Sequence, residues 1–299
     1  MIRAFVCGAL CWVSLAGAEI EIPGTIHVLG LAGVARDSRG TLVVNPEGVI
    51  FRGERNARIP QAAVGEFAIA RESRAAVRGT AGQLIRLAPF GAGTAVSMIR
   101  PGVDMVSLLY RDERRALHGC LLMLPKGRGA EVERFFEAAP QGQPPARRPV
   151  PTLPPAASKA VPDKYRILAK QLEVAPVDAG VTVPAEFRVA VYEQLVESMR
   201  ACGLFANVWR AGDHEADGNP DRLVLTATIV SLQKGSARVR VLSPLGGATV
   251  VKARVRLLDR AESPILDREV TGAVRLQGES LNAADNLAKK VAELLQPKF

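Results

Sequence analysis

The chain has 299 residues and a formal net charge of +9; 48% of it is hydrophobic and only 5% aromatic. That apolar content suffices for well-filled cores, and the scarcity of aromatics argues against stacking platforms for single-stranded nucleic acid. Arg3, Arg147, Arg148 and Lys159 lie outside the segments expected to fold, and the remaining positive balance suits anionic envelope polymers or lipid headgroups at least as well, so nucleic acid is not an expected partner.

Met1 to Ala18 reads as a cleavable secretory signal: Arg3 supplies the positive tip, Ala4 to Leu15 the apolar stretch, and Ala16-Gly17-Ala18 the small residues before a cut at Glu19. The apolar run is shorter than the roughly 20 residues needed to cross a bilayer. Leu15-Ala16-Gly17 is followed by Ala18 rather than by a lipid-bearing cysteine. The expectation is therefore a periplasmic or secreted product that is not a lipoprotein. Cleavage would leave Cys120 and Cys202, which fall in different expected domains and are read as free thiols rather than a bridge.

After the signal, short β segments dominate. Ile26 to Leu29 is a candidate strand. Thr41–Val44 and Gly48–Arg52 flank Asn45-Pro46-Glu47 as a hairpin. Ala57–Pro60 and Glu66–Arg71 are further strands, and Met105–Tyr110 with Leu117–Leu124 make a second hairpin around Arg111 to Ala116. Gly129 to Ala139 closes the region as a helix with Val132, Phe135, Phe136 and Ala139 on one face. This order of hairpins and a closing helix resembles the pleckstrin-homology-like or GRAM-like barrel. The loop at which phosphoinositide-binding members present basic residues is here Asn45-Pro46-Glu47-Gly48 and carries an acid, so the resemblance implies a protein docking module. Gln83 to Met98 is an uncharged, glycine-containing stretch apart from Arg86. It reads as a connection tucked against the barrel, with an apolar flap for a partner or membrane surface as the alternative.

Pro140 to Pro162 is proline-rich, and a residue with fixed φ and no amide donor suits neither helix nor sheet interior. It reads as an extended spacer between domains at 19–139 and 163–299.

Beyond it, Tyr165–Val174 reads as a strand. Ala185–Cys202 reads as an amphipathic helix with Phe187, Val191, Leu195, Met199 and Cys202 on one face, opened by Pro184 and closed by Gly203. Leu223–Val230, Val250–Leu258 and Ile265–Leu276 are strands. In the second of these, Val251, Ala253, Val255 and Leu257 alternate with Lys252, Arg254 and Arg256. Ser280 opens a last helix with Leu281, Ala284, Leu287, Ala288, Val291, Leu294 and Leu295 on one face. The expected architecture is thus two domains, a mostly β barrel with its helix and an α+β two-layer sandwich. Gly203-Leu204-Phe205-Ala206-Asn207-Val208, Arg240 before Gly246-Gly247, and Leu257-Leu258-Asp259 resemble a bacterial envelope family of unknown function, numbered 4410 among such domains. That resemblance implies a fold and an envelope address, without an activity.

Arg238, Arg240, Lys252, Arg254 and Arg256 are the candidate anion-contacting surface. If Leu257 pairs with Leu266, however, Arg254 lies opposite Glu269 and Arg256 opposite Asp267, and the row is neutralised by its own neighbours. Asp213-His214-Glu215-Ala216-Asp217-Gly218 looks like the start of a calcium loop, but the twelfth position is Val224 rather than glutamate. His27, His118 and His214 have no ligand-spaced neighbours, and no nucleophile elbow or phosphate loop occurs. No catalytic, cofactor or metal residue is assigned. The expected function is a non-enzymatic envelope binding or assembly module for a protein partner. Peripheral attachment to an anionic membrane or cell-wall polymer, and a hydrolase with an unmarked site, are the alternatives.

Overall fold

A computed structural model describes residues 19–73, 102–138, 171–219, 221–233, 249–274 and 280–296. The signal segment, Gln83 to Met98, the proline-rich stretch, Arg238 and Arg240 lie outside the described residues. What is described is mostly β, in two sheets with few helices.

The first sheet is built from β1 (Ile20–Leu29), β2 (Ser38–Asn45), β3 (Gly48–Arg52), β4 (Ala57–Pro60), β5 (Val64–Ser73), β6 (Val103–Arg111) and β7 (Leu117–Pro125), in the order β4-β3-β2-β1-β7-β6-β5. Every neighbouring pair is antiparallel. Both expected hairpins form, and side-chain acceptors fix their turns. Asn45 Oδ1 accepts from the amides of Glu47 (3.0 Å) and Gly48 (3.2 Å). Asp112 Oδ1 accepts from those of Arg114 and Ala116, both at 2.9 Å. Alternate residues such as Leu42, Val44, Phe51, Leu108, Cys120 and Leu122 fill one cluster on the inner side. Helix α1 (Gly129–Ala138) closes it with Val132 and Phe136, the latter stacked on Phe67 at 4.7 Å between centroids. Buried Asp104 secures the start of α1 by accepting from the Gly129 amide at 2.9 Å.

The second sheet contains β8 (Gln171–Val174), β9 (Asp178–Ala179), β10 (Asn207–Arg210), β11 (Arg222–Gln233), β12 (Thr249–Leu258) and β13 (Pro264–Val274), in the order β10-β8-β11-β12-β13 with β9 also on β11. The first three of that order run parallel, and β11 to β13 are antiparallel. Helices α2 (Ala185–Ala201) and α3 (Ser280–Leu295) complete this part. Helix α2 ends as expected, with Gly203 at φ 65°, which favours glycine. Gly272 lets α3 lie close to β13, since a Cβ there would stand 2.6 Å from the Ala283 carbonyl oxygen. Side chains occupy edge groups of the sheet: Arg200 donates to the Val208 carbonyl (3.3 Å), Lys290 to that of Thr271 (2.8 Å), and Asn286 accepts from the Ala273 amide (3.1 Å).

Helix α2 departs from the expected single apolar face. Besides Phe187, Val191, Leu195 and Met199, it buries Val189, Tyr192, Glu193, Gln194 and Val196. The reason is that both sides are covered. One apolar cluster runs from Ile26, Val28, Leu121 and Met123 of the first sheet, through α2, to Leu225, Val255 and Leu287 of the second part. The spacing of the two sheets is therefore set by a packed helix.

Candidate functional site

A cleft of about 840 Å³ opens between the two sheets. Glu66 and Leu109 of the first sheet, Ala185 and Val189 of α2, and Glu173, Arg222, Val224 and Leu258 of the second sheet contribute to its walls. Val177 and Val189 are buried in its floor, and Leu109 and Val224 are half-buried. Two of the arginines at its margins are paired with acids. Arg188 meets Glu66 at 2.9 Å, and Arg222 bridges Glu173 (2.9 Å) and Asp217 (3.5 Å). Arg111 donates to the Arg115 carbonyl at 2.6 Å. An apolar floor edged by paired charges of both signs offers area for hydrophobic contact without a strong field of either sign. The described residues lining it include no histidine or cysteine, and Ser107 spends its hydroxyl on the Ala68 carbonyl at 3.2 Å.

Beneath the cleft lies a buried polar junction. Glu193 of α2 and Arg210 of β10, 3% and 8% exposed, form a two-pronged pair at 2.6 and 2.7 Å. Glu193 Oε1 also accepts from the Gly119 amide of β7 at 2.7 Å, and Arg210 donates to the Leu117 carbonyl at 3.3 Å. Tyr192 donates its hydroxyl to that carbonyl (3.0 Å) and accepts from the Ala211 amide (3.3 Å). A backbone bond from the Leu117 amide to the Ala211 carbonyl at 3.0 Å joins the two parts directly. Burial works against charge on Arg210, but Glu193 outweighs it and holds the guanidinium above its ordinary pKa. Burial likewise raises the Tyr192 phenol, which stays protonated and able to donate.

The expected basic surface is placed only in part. The register is the one derived above: Leu257 opposite Leu266, Arg254 opposite Glu269 and Arg256 opposite Asp267. Asp267 collects both arginines. Arg254 grips it with two hydrogen bonds, at 2.7 and 2.6 Å, and Arg256 approaches to 3.3 Å. Arg254 thus grips the diagonal acid with both prongs of its guanidinium rather than Glu269, its directly opposed one. The hydrogen bonds from Arg254 hold the Asp267 carboxyl below its usual range. Lys252 is exposed.

In the loop that resembles a calcium site, Asp213 accepts from the Glu215 amide at 3.1 Å, Glu215 pairs with Arg114 at 3.0 Å, and Asp217 faces Arg222. Among the described residues no group of three or more His, Cys, Asp or Glu side chains could hold a metal ion. His27 is enclosed, with Nδ1 2.9 Å from the Ala35 carbonyl, so it donates there, while Nε2 accepts from the Leu31 amide at 3.0 Å. His118 stacks on Tyr110 and meets Asp112 at 3.0 Å. Cys120 is a buried free thiol and Cys202 a half-buried one. No described helix is long and apolar enough to cross a membrane.

Sequence reasoning missed Glu193, Arg210 and Gly119. An acid inside the apolar repeat of α2 becomes a signal only once the second covering face of the helix is known.

No protein-family model matches the chain, and no curated protein matches it in sequence. Among solved structures it is similar in part to the PelC dodecamer of Paraburkholderia phytofirmans. That match has 18% identity and a TM-score of 0.34, and covers 44% of this chain and 90% of the other. A point variant of the same dodecamer gives 19% identity and a TM-score of 0.36, covering 47% of this chain and 96% of the other. At such scores the likeness carries no argument about activity or partners.

Proposed function

We propose that the chain is an exported, non-enzymatic envelope protein whose cleft docks a protein partner. In this reading residues 19–139 form a pleckstrin-homology-like barrel and residues 163–299 an α+β sandwich of the envelope family numbered 4410, the two being joined face to face. The antiparallel meander order and the closing helix α1 support the first assignment. The three-strand antiparallel run with its paired helices supports the second. Removal of Met1 to Ala18 delivers it to the periplasm or the exterior without a lipid anchor.

The observation that carries the reading is the cleft itself, an apolar floor at whose margins Arg188 and Arg222 already have acidic partners. A polypeptide, with apolar side chains and both signs of charge, matches such a surface better than a uniformly anionic polymer does. The pairing of Arg254 and Arg256 with Asp267 points the same way.

The test places a photo-crosslinking amino acid at Leu109, in the cleft, and in a second variant at exposed Lys252. Irradiation in the producing cell should give one discrete protein adduct from position 109 and none from 252. Adducts from both positions alike, or release of the protein from the membrane pellet by salt alone, would count against cleft docking and favour surface attachment.

A further inference from the structure

The outer face of the first sheet is shaped for one helix. Gly119 stands in the middle of β7 with no side chain, and a Cβ there would lie 2.6 Å from Val189 Cγ1 and 3.4 Å from Glu193 Cγ. The absence of that one carbon is what lets α2 approach until Glu193 reaches the Gly119 amide. Around this point the face offers the Leu117 carbonyl to Tyr192 and Arg210, and the Leu117 amide to Ala211. Farther out, the Arg114 carbonyl accepts from the His214 amide at 3.1 Å, and Arg36 pairs with Glu197. Apolar contact from Ile26, Val28, Leu121 and Met123 fills the remaining area. A carboxylate taken into so dry a place is tolerated only because Arg210 and the Gly119 amide satisfy it together.

We propose that this face is a recognition surface whose partner is the C-terminal part of the same chain, with the Glu193–Arg210 pair as its specificity element. The two parts associate as independent molecules would, so the peptide connection between them is dispensable once they have met. The pair selects the seating. A helix whose acid lay one position away would leave Arg210 buried without its counter-charge, and the Gly119 amide without its acceptor. The walls of the cleft come from both parts, so the same pair fixes the distance between them.

The experiment begins with the intact folded chain carrying a protease recognition sequence between Pro151 and Thr152. It is cut after folding and run on a sizing column at micromolar concentration without denaturant. The two fragments should co-elute at the volume of the uncut protein. Separation of the wild-type fragments would overturn the proposal outright. Both members of the pair lie on the C-terminal fragment, so the same cut in Glu193→Gln should raise the dissociation constant by about a hundredfold or more, because association then holds Arg210 against the Leu117 carbonyl without its counter-charge. An unchanged constant would remove the pair from its assigned role even where the fragments hold together. Arg210→Lys, which keeps the charge but loses the fork, provides a second reading should Glu193→Gln fail to fold, and its expected shift has the same sign.

Discussion

Gly30 and Gly119 pass so closely that a Cβ on Gly30 would sit 1.6 Å from the Gly119 carbonyl oxygen. Gly30 also has a φ of 96°, which side chains rarely adopt. The two demands have a common origin: β1 shifts register against β7 between His27 and Leu29, pulling the end of the strand against the neighbouring backbone. Gly33, three residues on, has a φ of 73° but nothing within 4 Å of a built Cβ. Gly33→Ala should therefore cost only the left-handed strain of about 1–2 kcal/mol. Gly30→Ala should cost clearly more, because backbone must move. Urea unfolding of both variants measures the gap, and equal losses would refute the close approach.

Removing either member of the Glu193–Arg210 pair should destabilise the protein by about 3–5 kcal/mol, since the survivor stays buried and charged. The double replacement Glu193→Met with Arg210→Met should recover much of that loss, because two apolar side chains need no compensation. A double variant as unstable as the sum of the single ones would show that the two residues act separately.

Acid should weaken the fold before its carboxylates are titrated. Burial holds the His27 ring below the ordinary histidine range, and burial with nearby Arg210 does the same for His118. The unfolded rings take up protons near pH 6.5, as ordinary histidines do, roughly where the folded ones still refuse them. The contribution is thus nil well above that pH, and stability declines as pH falls through it until the folded rings protonate in turn. Denaturant midpoints measured from neutral to mildly acidic pH should drop. A flat profile would mean that both rings are open to solvent.

At the paired arginines, Asp267→Asn should be mild, about 1 kcal/mol or less, because the group lies near the surface and water screens what remains. Lys252→Ala on the same strand should stay within about 0.5 kcal/mol. A large loss at Lys252 would reveal a contact on that face that the sheet alone does not explain.

Alkylation separates the two thiols. Burial pushes the Cys120 thiol up and encloses it, whereas Cys202 is half-buried at the end of α2. Brief iodoacetamide treatment of the native chain should label Cys202 and spare Cys120 until denaturant is added, as read by peptide mass spectrometry.

Much of the local structure was legible. The alternation of Val251, Ala253, Val255 and Leu257 fixed their burial, and the charges on β12 and β13 selected the right register. Asn45 and Asp112 marked their turns through acceptors that the turn amides need. Periodicity reports that a face is covered but not by what, so α2 looked one-sided although two layers enclose it. β9, of two residues, carries too little alternation to register, and β10 (Asn207–Arg210) joins the sheet by parallel pairing with β8, which no local turn announces. Glu193 and Gly119 are 74 positions apart, and only the long-range packing of α2 on β7 brings them together. Arg238 and Arg240 fall outside the described residues, so three of the five expected basic positions are placed.

The helix shared between the two sheets also has an evolutionary consequence. A segment with a single covered face can be moved by recombination and still fold in a new setting. Helix α2 cannot travel that way: transplanted with its own sheet alone, it would carry Val189, Tyr192 and Glu193 into water. The first sheet left behind would expose the notch at Gly119. Descendants of this chain should accordingly inherit the two parts together, and compensating changes should fall at Gly119, Glu193 and Arg210 in concert.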